Sequence, residues 1–263
     1  MAGLTLENAA ALIVGAGQGI GRSCALALAA EGADTALAAR RAEPLESLAS
    51  EVAEATGRRT IAVVTDIADT AQCRAAVETT VSEFGRIDVV VNVATYGGGS
   101  DSVADLDWDD YLRAVQINVI GTMEVCCSAA AHMVSSGGGS IVNISALSAT
   151  TLMEGLARYT STKGAMESMS KTMAKEVGPA GVRVNIVTPG LTTGGPLSAM
   201  FERIAQAQDR TPQEISDRFA RQAALRRHVD PDDIAQAVLF LASPRSRNIT
   251  GQEIQVTAGQ HIT

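Results

Sequence analysis

The 263-residue chain is short of positive charge, with 21 Lys and Arg against 29 Asp and Glu and a formal net charge of −8. A nucleic-acid partner calls for a basic stripe, so none is expected. No apolar run approaches the ~20 residues of a membrane span, and no membrane association is expected. The four cysteines, Cys24, Cys73, Cys126 and Cys127, show neither metal-ligand nor redox spacing, so no metal is expected. Adjacent Cys126 and Cys127 fall in a helical apolar pattern, where free thiols pack as small hydrophobes. Residues 1–6 lack the charged-then-apolar order of a signal peptide. With the unpaired thiols, this gives the expectation of a reducing cytoplasm. Linkers, repeats and a second core are also missing. With 46% apolar residues, 1–263 is expected to be a single α/β domain.

What the chain has is alternation. Residues 9–14 form a continuous apolar run suited to a strand buried on both faces. Further strands are expected at 35–39, 60–65, 87–91, 140–144, 183–187 and 254–256. Helices are expected at 22–30, 43–56, 71–84 and 111–127, and a flexible turn at 135–139. This order predicts a doubly wound, Rossmann-type parallel sheet of seven strands flanked by helices.

The first strand runs into Gly15-Ala16-Gly17-Gln18-Gly19-Ile20-Gly21 and then a helix. Strand, glycine loop and helix N-terminus make an anion site, in which backbone N–H groups and the helix dipole face a pyrophosphate. About 20 residues on, a site for NAD wants an acid for the ribose 2′-hydroxyl, and one for NADP wants an arginine for the 2′-phosphate. The chain offers Ala39 and then Arg40 and Arg41. NADP(H) is therefore expected over NAD(H).

Tyr159 and Lys163 stand at i and i+4 in a helical pattern that continues through Met166, Met169, Met173 and Val177. A free phenol titrates near ~10, and a nearby ammonium is expected to lower that value toward the range useful for general acid–base catalysis. Taken alone, such a pair is read as two exposed side chains with no role.

Taken together, these pieces resemble the short-chain dehydrogenase/reductase family over about the full length. The matching residues are Gly15-x-x-x-Gly19-Ile20-Gly21, Asp66-Ile67, Asn92-x-Ala94, Asn118, Tyr159-x-x-x-Lys163, Arg183-Val184-Asn185, Pro189-Gly190 and Ile249-Thr250-Gly251. The resemblance implies a nicotinamide cofactor and interconversion of an alcohol and a carbonyl on a small-molecule substrate. It implies that Tyr159 is the acid/base, that Lys163 binds the nicotinamide ribose and tunes Tyr159, and that Asn118 holds a water linking Lys163 to solvent. Asp66 and Ile67 are implied at the adenine, with Gln18, Asn92, Ala94, Pro189, Gly190 and Thr192 at the rest of the cofactor. It also implies a homotetramer paired through the helices around Asn118 and Tyr159.

The chain departs from the family pattern at several points. The position of the family's catalytic serine, thirteen residues before the tyrosine, is Ala146, with Ser145 and Ser148 nearby. The second Asn and the Gly of the family's Asn-Asn-Ala-Gly turn are Val93 and Thr95. Two further readings stay open: a catalytically impaired NADP(H)-binding protein acting as sensor or assembly partner, and a 3-oxoacyl thioester reductase. Against the second, the arginines of thioester reductases are replaced here by Ser136 and Ala180. The expected pocket walls are 95–108, 147–156 and a lid over about 191–225. Leu152, Met153, Leu156, Leu197, Met200 and Phe201 give them an apolar bias that favours a small, mostly hydrophobic ketone or alcohol.

Overall fold

A computed structural model of the chain describes residues 5–97 and 102–262. Residues 98–101 of the expected pocket wall and 1–4 of the expected leaderless start lie outside the described residues. Seven strands, β1 (Ala10–Val14), β2 (Asp34–Ala39), β3 (Thr60–Val64), β4 (Val89–Asn92), β5 (Gly139–Ile144), β6 (Val182–Pro189) and β7 (Glu253–Val256), form one sheet in the order β3-β2-β1-β4-β5-β6-β7. All six pairings are parallel. Winding reverses between β1 and β4, and in such sheets the crevice outside the strands' carboxyl ends at this point takes ligands.

Side chains alternate across the sheet. Ala11 and Ile13 join the layer that holds α1 (Ile20–Ala30), α2 (Ala42–Thr56) and α9 (Pro231–Ala242), through Leu28, Leu48, Ile234 and Val238. Leu12 and Val14 join the opposite layer, formed by α3 (Thr70–Phe84), α5 (Thr122–Ser136) and α6 (Ala157–Val177), through Val77, Met133 and Met173. Every residue of β1 is buried, as a strand covered on both faces must be.

The helix expected at 111–127 is longer in the structure. Asp107 accepts from the backbone N–H groups of Asp109 and Asp110 and starts α4 (Trp108–Val115) one turn early. A π-helical turn, Gln116–Gly121, then leads into α5, which absorbs the first two residues of the expected turn at 135–139. The stretch Trp108–Ser136 is long and apolar enough by composition to cross a bilayer, a match the sequence reading did not make. More than half of its most apolar window is buried within the fold, so it serves as a core helix. The expected apolar wall also divides. Leu197 and Phe201, on α7 (Gly195–Gln208), pack with Ile215 of α8 (Pro212–Ala220) in a small core of their own, whereas Leu152 and Met153 remain exposed.

Beneath the carboxyl rim lies a buried polar chain. Asn92 Nδ2 donates to Asn143 Oδ1 at 2.8 Å, Asn143 Nδ2 donates to Ser170 Oγ at 2.8 Å, and Ser170 donates to the Met166 carbonyl at 2.7 Å. It ties β4, β5 and α6 together at the level just below the site. Asn143→Ala removes the central member and leaves a buried amide donor without its acceptor. We expect a loss of about 2–4 kcal/mol, seen as a lower urea midpoint at unchanged m-value.

Candidate active site

The carboxyl ends of β1, β2, β3 and β4 open on a cavity of about 550 Å³. Gly15, Arg40, Arg41, Asp66, Ile67 and Ala94, all singled out from the sequence, line it together with Thr95 and Tyr96. The glycine loop fits a ligand's pyrophosphate for steric reasons. Gly15 has φ +90°, and a Cβ there would lie 2.3 Å from the Ala94 nitrogen; a Cβ on Gly21 would lie 2.3 Å from the Gly15 carbonyl oxygen. By contrast, a Cβ on Gly17 or Gly19 would meet nothing within 4 Å. No side chain caps the N-terminus of α1, which leaves the N–H groups of its first two residues without a side-chain acceptor, while Arg22 N–H bonds the Gly17 carbonyl at 2.9 Å. This cradle suits the phosphates of a dinucleotide cofactor.

Arg41 is the N-cap of α2 in extended conformation, with no side-chain cap bond. Arg40 and Arg41 are both exposed. Among the described residues neither guanidinium has an ion-pair partner, and α2 adds its own uncapped N–H groups beside them. Asp66 holds the next turn by accepting from Ala68 N–H at 3.0 Å.

Several expected residues sit elsewhere. Asn92 lies one level below, in the buried chain already described. Pro189 and Gly190 end β6 on the other side of the switch point, where a Cβ on Gly190 would come within 2.8 Å of Thr257 Cα. Thr192 Oγ1 donates to the Gly190 carbonyl at 3.0 Å. Gln18, Gly19 and Ile20 belong to the α1 turn.

Tyr159 and Lys163 lie one turn apart on α6, with Lys163 Nζ 5.8 Å from the Tyr159 ring centroid. Lys163 is buried and donates to the Ile144 carbonyl at 2.8 Å. Burial pushes its pKa down to about 8, against a smaller upward pull from Glu167. The Tyr159 phenol moves up, not down as expected from the sequence: burial raises it, and a hydrogen bond from Thr95 offsets part of the rise. Burial outweighs the ammonium one turn away, whose Nζ lies 5.8 Å from the ring centroid.

Asn118 sits in the π-turn with its whole amide in use. Its Oδ1 accepts from Tyr96 N–H at 2.7 Å and from the Thr95 hydroxyl at 3.2 Å; its Nδ2 donates to the Tyr96 carbonyl and to Thr162 Oγ1, both at 2.9 Å. These four bonds exhaust a carboxamide's capacity. The side chain therefore clamps the turn after β4 onto α6.

The stretch around Ala146 is extended. Ser145 is turned away and donates to the Glu167 carboxylate, itself raised chiefly by burial. Ser148 Oγ is buried and has no hydrogen-bond partner among the described residues. The residues to which sequence reasoning gave no role are Thr162 and Glu167; Tyr96 entered only as part of an expected pocket wall. Thr95 was singled out as a side chain where the family pattern has glycine.

Among known proteins, the pattern of the family described as enoyl-(acyl carrier protein) reductase matches residues 15–261. A short chain dehydrogenase/reductase of Aspergillus oryzae is 30% identical, over 97% of this chain and 95% of its own. A 3-oxoacyl-[acyl-carrier-protein] reductase of Staphylococcus aureus is 32% identical, over 96% and 98%. The crystal structure of L-sorbose reductase from Gluconobacter frateurii, complexed with NADPH and L-sorbose, superposes with a TM-score of 0.94 at 26% identity over the whole of both chains. The cradle, the Tyr159–Lys163 pair and these full-length matches agree: the chain belongs to the short-chain dehydrogenase/reductase family of oxidoreductases.

Proposed function

We infer that the protein is an NADP(H)-dependent oxidoreductase that interconverts a ketone and a secondary alcohol, with Tyr159 as general acid/base. The observation that carries this reading is the placement of Tyr159 and buried Lys163 on one face of α6, beside the Asn118 clamp and the turn that lines the cavity. Bound there, the nicotinamide coenzyme supplies or accepts a hydride at the carbonyl carbon. The backbone at Gly15, Gln18, Gly19, Ile20 and Gly21 would hold its pyrophosphate, and Asp66 and Ile67 its adenine. Asn92, Ala94, Lys163, Pro189, Gly190 and Thr192 would hold the nicotinamide half. Tyr159 gives its proton to the substrate oxygen in reduction and removes it in oxidation.

Exposed Leu152 and Met153, just before α6, support a small, mostly apolar substrate, and α7 and α8 serve as its lid. The alignment with a 3-oxoacyl reductase keeps a thioester substrate as the competing class. A panel of ketones and a 3-oxoacyl thioester, assayed with each coenzyme, tests both, and turnover of neither class overturns the reading.

The preference for NADP(H) rests on Arg40 and Arg41, which line the cavity after Ala39 at the end of β2 and have no ion-pair partner among the described residues. In titrations, Arg40→Ala should weaken NADPH by about tenfold or more and leave NADH nearly unchanged; equal losses would remove the assignment.

A second reading, an impaired chain that binds coenzyme without efficient turnover, is favoured by Ala146 and by the engagement of Ser145 with Glu167. Ala146→Ser separates the two. A hydroxyl that bonds the substrate oxygen as charge develops should raise kcat/KM by roughly 10²–10³, mostly in kcat, with coenzyme affinity little changed. No gain in a chain that Tyr159→Phe also leaves unaffected would favour the non-catalytic reading.

Trp108, Leu112 and Ile120 recur at spacings of four and eight along α4 and the π-turn and stay exposed, as does Met169 of α6. This surface supports a homotetramer. Light scattering at micromolar concentration should give about four times the chain mass of 27.2 kDa, and a monomer mass would exclude it.

A further inference from the structure

Tyr159 is the third residue of α6, and the first turn of a helix is where its hydrogen bonding is thinnest. The usual devices that hold such an end are missing from this one. Leu156 at the N-cap makes no side-chain bond, and the first turn has no acid to face the positive end of the helix dipole. It carries Arg158 instead, a cation where the dipole disfavours one, and that residue is only 2% exposed. The chain enters the turn through Gly155, at φ +78°, after the exposed residues Leu152, Met153 and Glu154.

A carboxylate from another helix makes up for this. Asp110 lies in the first turn of α4, and its Oδ2 pairs with Arg158 Nη1 at 2.5 Å. Its Oδ1 accepts from Tyr96 Oη at 2.5 Å, so both oxygens are engaged. Around the same turn, Thr160 Oγ1 donates to the Ser148 carbonyl at 3.1 Å and Ser161 Oγ donates to Tyr111 Oη at 3.4 Å. Of these ties only the one to Arg158 joins two charges, which makes it the strongest. The residue next to Tyr159 is thereby fixed to α4, and fraying of the first turn would break that bond.

We propose that Asp110 is a positioning residue for Tyr159: through Arg158 it holds the first turn of α6, and with it the phenol, in place beside the cavity. The proposal rests on the oxidoreductase reading above. Asp110 itself touches no reacting atom. The coenzyme wall does not depend on it, because Asn118 already holds both the N–H and the carbonyl of Tyr96. Loss of the tie should therefore slow proton transfer and spare coenzyme binding.

Asp110→Asn alone leaves the buried Arg158 charge without this carboxylate and costs stability whatever the role of the pair. The deciding variant combines Asp110→Asn with Arg158→Met, which removes both charges and keeps most of the volume of the arginine stem. Replacing a buried ion pair by uncharged groups of similar size is often neutral for stability, so the urea midpoint should return close to that of the parent. The kcat for carbonyl reduction should still fall by roughly 10–100-fold, with the coenzyme KM within about twofold. Hydrogen exchange of Thr160 N–H, which bonds the Leu156 carbonyl at 2.8 Å, should speed up by about tenfold or more. If the double variant does not fold, Arg158→Met alone serves, because Asp110 is 24% exposed and keeps its bond from Tyr96; the same losses are expected.

A folded variant that recovers kcat together with stability overturns the proposal, since the pair is then only structural. A coenzyme KM that rises in parallel with the loss of kcat overturns it as well. Faster Thr160 exchange in a chain whose parent reduces no carbonyl supports the anchoring of the turn and removes the functional reading. Unchanged exchange and kcat in a chain whose parent does reduce carbonyls remove the role of Asp110 alone.

Discussion

The sheet is covered by helices on both faces, and that one constraint governs where anything polar can be placed. Strands such as β1 are apolar from end to end because neither face meets water. Polar chemistry is left to the carboxyl rim, where the strands end and the turns begin. Some of the polar groups that do enter the interior are linked in hydrogen-bonded chains. Asn92, Asn143 and Ser170 run as a hydrogen-bonded chain to the Met166 carbonyl, and Lys163 donates to the carbonyl of Ile144, the last residue of β5. A buried ammonium held by one carbonyl loses protons more readily than a solvated one, which is why its pKa falls to about 8.

Asn118 carries this order from the interior to the rim. Its amide sits in a π-helical turn, an uncommon geometry that is frequent at functional sites. From there it reaches the backbone of Tyr96 in one direction and Thr162 of α6 in the other. The turn that lines the cavity and the helix that bears Tyr159 are thus held at a fixed separation by one side chain. Around it, Tyr96 donates to Asp110, which also pairs with Arg158, so α4 is anchored to the same two elements. Preorganisation of this kind lets a proton donor act without reorganising its surroundings.

Much of this was legible in the sequence. Continuous apolar runs alternating with helical periods specify a parallel, doubly wound sheet, because only buried strands dispense with a polar face. The glycines at 15 and 21 are readable for a similar reason: their positions allow no side chain, and the contacts that forbid a Cβ are with backbone, which is always present. Arg40 and Arg41 follow from strand length alone. The pairing of Tyr159 with Lys163 needs only the 3.6-residue period of a helix.

What tertiary structure decided is how those groups are wired. No local pattern says that Ser145 faces Glu167, twenty-two residues away, or that Asn118 gives its whole amide to Tyr96, Thr95 and Thr162. The direction of the Tyr159 shift also belongs to the fold: sequence spacing gives the neighbouring ammonium, whereas burial is the sum of contacts from distant elements, and here burial wins. The division of the apolar wall is of the same kind, since Phe201 is covered by a helix that follows it and Leu152 is not. Sequence determines which elements form and which residues stand a turn apart. Only packing decides which face of each is left to water, and so which protons it holds.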